Sequence, residues 1–166
     1  MVKTKYLLIG AVVIIIGIAV IYYFLPSEEK KVRKQFQLLS ERVQKSPEEN
    51  ALSILQKMKN IGALFDEYCE LKAPSQSLSG SYSRQEISTY AGSARSVFSQ
   101  LDLKFYDFHI VFLEREIAKV TLTARLTGRS TAGEQVDEIR ELECVLKKIE
   151  KRWLFSAIEV VEVLKK

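Results

Sequence analysis

His109 and Asp107 are the residues of this chain best spaced for proton chemistry. They lie two apart in a β-rich run and share strand parity with Val111 and Leu113, so a carboxylate could orient the imidazole as a general base. The same pair also suits a solvated strand face. Asp66, followed by Glu67 and Tyr68, is the next candidate, because burial in an apolar cone lifts a carboxyl pKa toward neutrality. Glu138 and Arg140 read either as polar groups reaching an interior or as a plain cross-strand ion pair. For each of these the ordinary surface charge is the favoured reading, so no catalytic residue is assigned.

Other chemistries lack their residues. There is no phosphate-binding G-x-x-x-x-G-K run, no H-E-x-x-H and no nucleophile elbow. One histidine and two distant cysteines cannot supply a metal site, and no cofactor is expected. Cys69 and Cys144 could form one bridge outside the cytoplasm, or serve as buried thiols. Lys147, Lys148, Lys151 and Arg152 with Trp153 come nearest to a basic, aromatic patch, but Glu150 dilutes them, and they read as a solvated hairpin tip. Lys and Arg total 25 against 21 acidic residues, or 23 against 21 once Lys3 and Lys5 are set aside. Nucleic acid is therefore not an expected partner.

The stretch Tyr6 to Leu25 carries no charge, and a helix of about 20 residues crosses a bilayer. Tyr6 at one end and Tyr22, Tyr23 and Phe24 at the other suit the headgroup level and are expected to anchor it. A cleaved signal would need a shorter apolar core and a small-residue site after it. The expected organisation is a basic tail over 1–5, a membrane helix over 6–25 and one domain over 26–166. The short tail before the span favours a single pass through a cell (inner) membrane with the domain outside the cytoplasm, in the periplasm.

Behind the span, Val32, Phe36, Leu39 and Val43 recur at helical spacing after Ser27, a fit N-cap. Ser46-Pro47-Glu48-Glu49 reads as the cap and acidic first turn of a second helix that stops at Asn60-Ile61-Gly62. Phe65 to Ala73 alternates as a strand, and 74–81 is a loop by composition. Ser83 with Glu86 forms a capping box for a third helix running through Ile87, Tyr90 and Phe98 to Leu101. From Leu103 the period becomes two. Runs 103–113, 117–127, 136–149 and 153–164, joined by short connections, predict antiparallel strands. The fold class is α+β, with three helices packed on a curved antiparallel sheet behind a transmembrane helix.

This order of elements, closing in a hairpin around Arg152-Trp153, resembles the nuclear transport factor 2-like superfamily and its SnoaL-like members. The resemblance covers about Glu28 to Leu164. It implies a cone of sheet wrapped on helices with a pocket between, used for isomerases, dehydratases, cyclases and protein-binding modules alike. The expected function is a membrane-anchored, non-catalytic interaction or assembly module, whose partners are the lipid bilayer and either another membrane or extracytoplasmic protein or its own copy. The alternatives are a carrier of a small apolar molecule, whose pocket Tyr90, Phe98, Phe105 and Trp153 would line, and an isomerase or dehydratase with a buried ionisable group.

Overall fold

The computed structural model describes residues 27–74 and 78–161. The expected tail and span, with Tyr6, Tyr22, Tyr23 and Phe24, lie outside the described residues. Among the described residues no helix is long and apolar enough to cross a membrane. The chain divides between Lys31 and Val32, and the unit that begins at Val32 holds the sheet.

Three helices precede or interrupt the strands: α1 (Glu28–Val43), α2 (Ala51–Gly62) and α3 (Arg84–Ser96). On α1 the Ser27 hydroxyl accepts from the Lys30 N–H at 3.3 Å, as an N-cap should. Val32, Phe36 and Leu39 form its buried stripe. The second helix starts later than its acidic turn suggests. Asn50, not Ser46, is the cap and accepts from the Ser53 N–H at 2.8 Å. The reason is tertiary: Lys45 exchanges backbone hydrogen bonds with Leu101 at 2.8 and 3.1 Å, which holds this stretch extended and leaves Pro47 in a turn. The capping box of α3 forms as expected, with the Glu86 carboxylate accepting from the Ser83 N–H at 2.8 Å.

The strands are β1 (Phe65–Ala73), β2 (Leu78–Ser83), β3 (Phe98–Glu114), β4 (Ile117–Ser130), β5 (Gln135–Ile149) and β6 (Arg152–Val161). They form one sheet in the order β2-β1-β6-β5-β4-β3. Three expectations change here. Leu78–Ser83, which overlaps the stretch 74–81 expected as loop, pairs antiparallel with β1, since its backbone finds a ladder whatever its side chains. Phe98 to Leu101 leave the third helix for β3, where Leu101 pairs with Gly128. The sheet is also not wholly antiparallel, because β1 runs parallel to β6, matching Phe65 with Phe155 and Leu71 with Ile158. Parallel neighbours need a long crossover, and everything from β2 to β5 supplies it.

Register shifts bend the strands, at Tyr106/His109 on β3 and opposite Val145/Leu146, where β6 carries the extra residue Ser156. Ala118, Val120, Leu122 and Ala124 of β4 face the helices, as the alternation predicts, with Leu146, Trp153 and Phe155 beside them. On β4 beside β3, Gly128 is required: a Cβ there would sit 2.5 Å from the Gln100 carbonyl oxygen.

The β5–β6 hairpin turns through Glu150 and Lys151 at φ 48° and 66°. Tight hairpins of this hand favour Asn-Gly, and a left-handed residue with a Cβ is disfavoured by roughly 1–2 kcal/mol. The double variant Glu150→Asn/Lys151→Gly is therefore expected to gain about 1 kcal/mol and raise the thermal midpoint by about 3 °C. An unchanged or lower midpoint by circular dichroism would show that the charged turn is not strained.

Candidate functional site

Much of the space between helices and sheet, where the resemblance implies a pocket, is occupied by aromatic rings, and an open groove of about 330 Å³ remains along α1 and β3 beside Arg33, Ser40, Phe105 and Phe108. Phe36 of α1 meets Phe105, Phe108 and Phe155 edge-on, with centroids 5.4, 5.3 and 4.9 Å away. Phe65 lies against Phe155 at 5.4 Å. Such contacts add about 0.5–1.5 kcal/mol each beyond burial of their area. The four residues expected to line a cavity have different surroundings. Phe105 packs on Phe36; Trp153, 1% exposed, belongs to the core, with its ring 5.8 Å from Phe112. Phe98 is half-buried beside Gly128, while Tyr90 is exposed on α3 against Tyr82.

The ionisable candidates do not meet either. Asp107 and His109 are both exposed on β3, as are Val111 and Leu113, because the register shift at the left-handed Asp107, φ 54°, turns their side of the strand outward. Phe108 between them turns inward onto Phe36. Asp66 is half-buried on β1 and accepts from the Glu67 N–H at 2.7 Å; β6, β5 and β4 separate it from β3. Glu138 and Arg140 form an exposed ion pair at 3.3 Å. Among the described residues no group of His, Cys, Asp and Glu could hold a metal ion. Cys69 and Cys144 are free and buried. Their strands flank β6, so they stand about 10 Å apart across two strand spacings, beyond disulfide reach. Burial, with Asp66 and Glu70 nearby, pushes the Cys69 thiol up to about 12; burial raises Cys144 as well.

The buried charges lie where sequence reasoning did not look. Arg95, 3% exposed at the end of α3, pairs with the Glu49 carboxylate at 2.7 Å. It also donates to the carbonyls of Val43 and Gln44 at 3.0 and 2.9 Å. Lys57 is a second partner of Glu49, and Lys45 donates to the carbonyls of Arg95 and Phe98 at 3.0 and 2.6 Å. Burial alone would raise the Glu49 pKa, but the Lys57 hydrogen bond and the Arg95 charge outweigh it and hold the carboxyl below its usual range. Apart from the Lys57 bond, which ties the linker to α2, the named bonds tie the end of α1 and the α1–α2 linker to α3 and β3, so this cluster is a structural clamp. A signal for it existed: Arg95 follows Ile87 and Ala91 at intervals of four, on the helix face that is buried.

Other features lie at the surface. An open groove of about 680 Å³ runs between α2 and α3, lined by Leu55, Met58, Gly62, Arg84 and Gly92 among others. Arg84 is held by the Phe65 carbonyl at 2.7 Å. On the sheet face turned from the helices, Tyr106, Val111 and Ile139 are exposed among charges that are already paired. These pairs are Lys119–Glu143 at 2.9 Å and Arg125–Asp137 at 2.7 Å.

A mixed six-stranded sheet curved around three helices, with its last hairpin closing on a buried tryptophan, is the architecture of the nuclear transport factor 2-like fold. Solved structures agree. A Xanthomonas campestris protein provisionally named as a calcium/calmodulin-dependent protein kinase II association domain superposes with a TM-score of 0.64 at 12% identity, covering 82% of this chain and 89% of its own. A Novosphingobium aromaticivorans protein provisionally named scytalone dehydratase gives 0.64 at 18% identity, covering 82% and 85%. A hexachlorocyclohexane dehydrochlorinase, LinA type 2, gives 0.65 at 7% identity, covering 81% and 84%. No family model matches the chain, and no curated protein does. At these identities the likeness is one of fold.

Proposed function

We propose that this chain is a membrane-tethered, non-catalytic interaction module that associates with a second copy of itself through the outer face of the sheet. The observation that carries this reading is the filled cone. Phe36 and its three aromatic neighbours occupy the space a substrate would need. Asp107 and His109 are exposed, and Glu138, opposite Leu126 on the helix-facing side of the sheet, is exposed and paired with Arg140. The tether rests on the uncharged run Tyr6–Leu25. A second copy suits the outer face because Tyr106, Val111 and Ile139 are exposed there beside the internal pairs Lys119–Glu143 and Arg125–Asp137, so like can meet like about a two-fold axis.

Ile139, 56% exposed beside the Arg125–Asp137 pair, is the residue to change. In detergent, the full chain is expected to sediment as a dimer and Ile139→Glu as a monomer with unchanged circular dichroism. A wild-type chain that stays monomeric at all concentrations would sink the reading. One observation supports an alternative, a small-molecule binder: the groove between α2 and α3 is large enough for a ligand and has an apolar wall at Leu55 and Met58. The names of two fold neighbours, a dehydratase and a dehydrochlorinase, lean the same way. That reading moves the ligand out of the cone.

A further inference from the structure

The turns joining β3 to β4 and β5 to β6 lie at one end of the sheet, where the Lys148 N–H donates to the Glu116 carbonyl at 2.8 Å. We propose that this end seats on an anionic lipid surface. Two independent features point to it. The first is composition: Arg115, Lys147, Lys148, Lys151 and Arg152 stand against Glu114, Glu116 and Glu150. Between the cations sit exposed apolar side chains, Leu113 at 59% and Ile149 at 37%. Cations beside exposed aliphatic groups are what a headgroup layer over hydrocarbon accommodates. The turn at the other end, Thr131 to Glu134, has no cation. Lys151 moreover holds a left-handed φ of 66° where glycine would be easier, so the tip keeps a charge at a backbone cost.

The second feature is the direction of the chain. Moving along α1, Arg33 lies 4.8 Å from the Phe108 ring, Phe36 touches Phe105, Ser40 donates to the Leu103 carbonyl at 2.5 Å, and Lys45 bridges to Leu101. The helix therefore runs antiparallel to β3, and the domain's first residue, Val32, belongs to the Glu114 end. Six residues separate Leu25 from Val32, and seven steps of chain span at most about 25 Å. The inference rests on the tether of the proposed function, since that tether keeps this end near the interface. What it adds is a built contact: cations and apolar groups that hold the domain against anionic headgroups, with no partner required.

The test uses the full chain with one fluorophore on a new cysteine, at Glu116→Cys, Glu150→Cys or, as control, Ala132→Cys. Cys69 and Cys144 are buried and do not compete for label. The chain is reconstituted in phosphatidylcholine vesicles with and without phosphatidylglycerol, with a quencher on the lipid headgroups. Labels at 116 and 150 are expected to be quenched far more than the label at 132, and only when phosphatidylglycerol is present. The triple variant Lys147→Glu/Lys151→Glu/Arg152→Glu should bring them to the control level, the seated-to-free ratio falling about fivefold for each cation lost. Equal quenching at all three positions, or quenching indifferent to phosphatidylglycerol, would overturn the seat. So would labels shielded from a water-soluble quencher and from the lipid quencher alike, which would assign the patch to a second protein. Alkaline carbonate separates the two ideas: a chain stripped from the vesicles refutes the tether, while phosphatidylglycerol-dependent rebinding of that stripped chain would still support the seat, and its absence would overturn it.

Discussion

Arg95→Met is expected to destabilise the domain by about 3–5 kcal/mol, because it leaves the Glu49 carboxylate, 6% exposed, without its closest guanidinium partner. Removing both charges should cost much less. In Arg95→Met/Glu49→Leu apolar groups replace the Arg95–Glu49 pair and Lys57, 29% exposed, turns to solvent, so urea unfolding of the full chain in detergent should recover most of the loss. If the double variant is no more stable than the single, the clamp acts through the Arg95 bonds to the Val43 and Gln44 carbonyls instead. A pH dependence follows from the same pair. The folded-state Glu49 carboxyl titrates below its ordinary 4.5, so its stabilisation is complete above that value and is lost as pH falls through the lower, folded-state value. Asp137 and Glu86 are depressed too, by the Arg125 and Ser83 hydrogen bonds respectively, and share the acid limb. The difference between wild type and Glu49→Gln isolates the buried group: it should be largest at neutral pH and shrink in acid.

Phe36→Ala is the second large effect. Phe-to-Ala changes in cores cost about 3–5 kcal/mol, and this ring also has three edge-on partners that cannot all close the gap. The cavity left behind would be lined by Phe105, Phe108 and Phe155 and should stay dry. Added benzene is therefore expected to raise the midpoint of the variant and leave that of the wild type unchanged. A wild type that benzene stabilises as strongly would mean that the cone already holds room for a ligand, and the interaction reading would give way to a carrier.

What could be read from the chain in advance was local. The Ser83–Glu86 box fixes where α3 begins because both partners lie within one turn. The strict alternation of β4 reveals its buried face because each side chain reports its own parity. What could not be read depends on partners far along the chain. Ala94, Val97, Phe98 and Leu101 keep helical spacing, yet Leu101 is claimed by Lys45 and Gly128 and becomes strand. Leu78–Ser83 has the composition of a loop, and only β1 makes it a strand. The one extra residue near Asp107 turns Phe108 inward and leaves Asp107 and His109 in solvent, so a single bulge decides between a base with its orienter and two surface groups. The Arg95–Glu49 pair joins residues 46 positions apart, so helical spacing points to the burial of Arg95 but not to its partner.

Photocrosslinking from position 139 tests the central claim most directly. A benzoylphenylalanine there, in full-length chain held in carbonate-washed membranes, should on irradiation give a product at twice the mass of the chain, while the same group at Ala132 gives none. Irradiated chain that stays at single mass from position 139, or that leaves the membranes in the wash, would contradict a tethered module pairing through the outer face of its sheet.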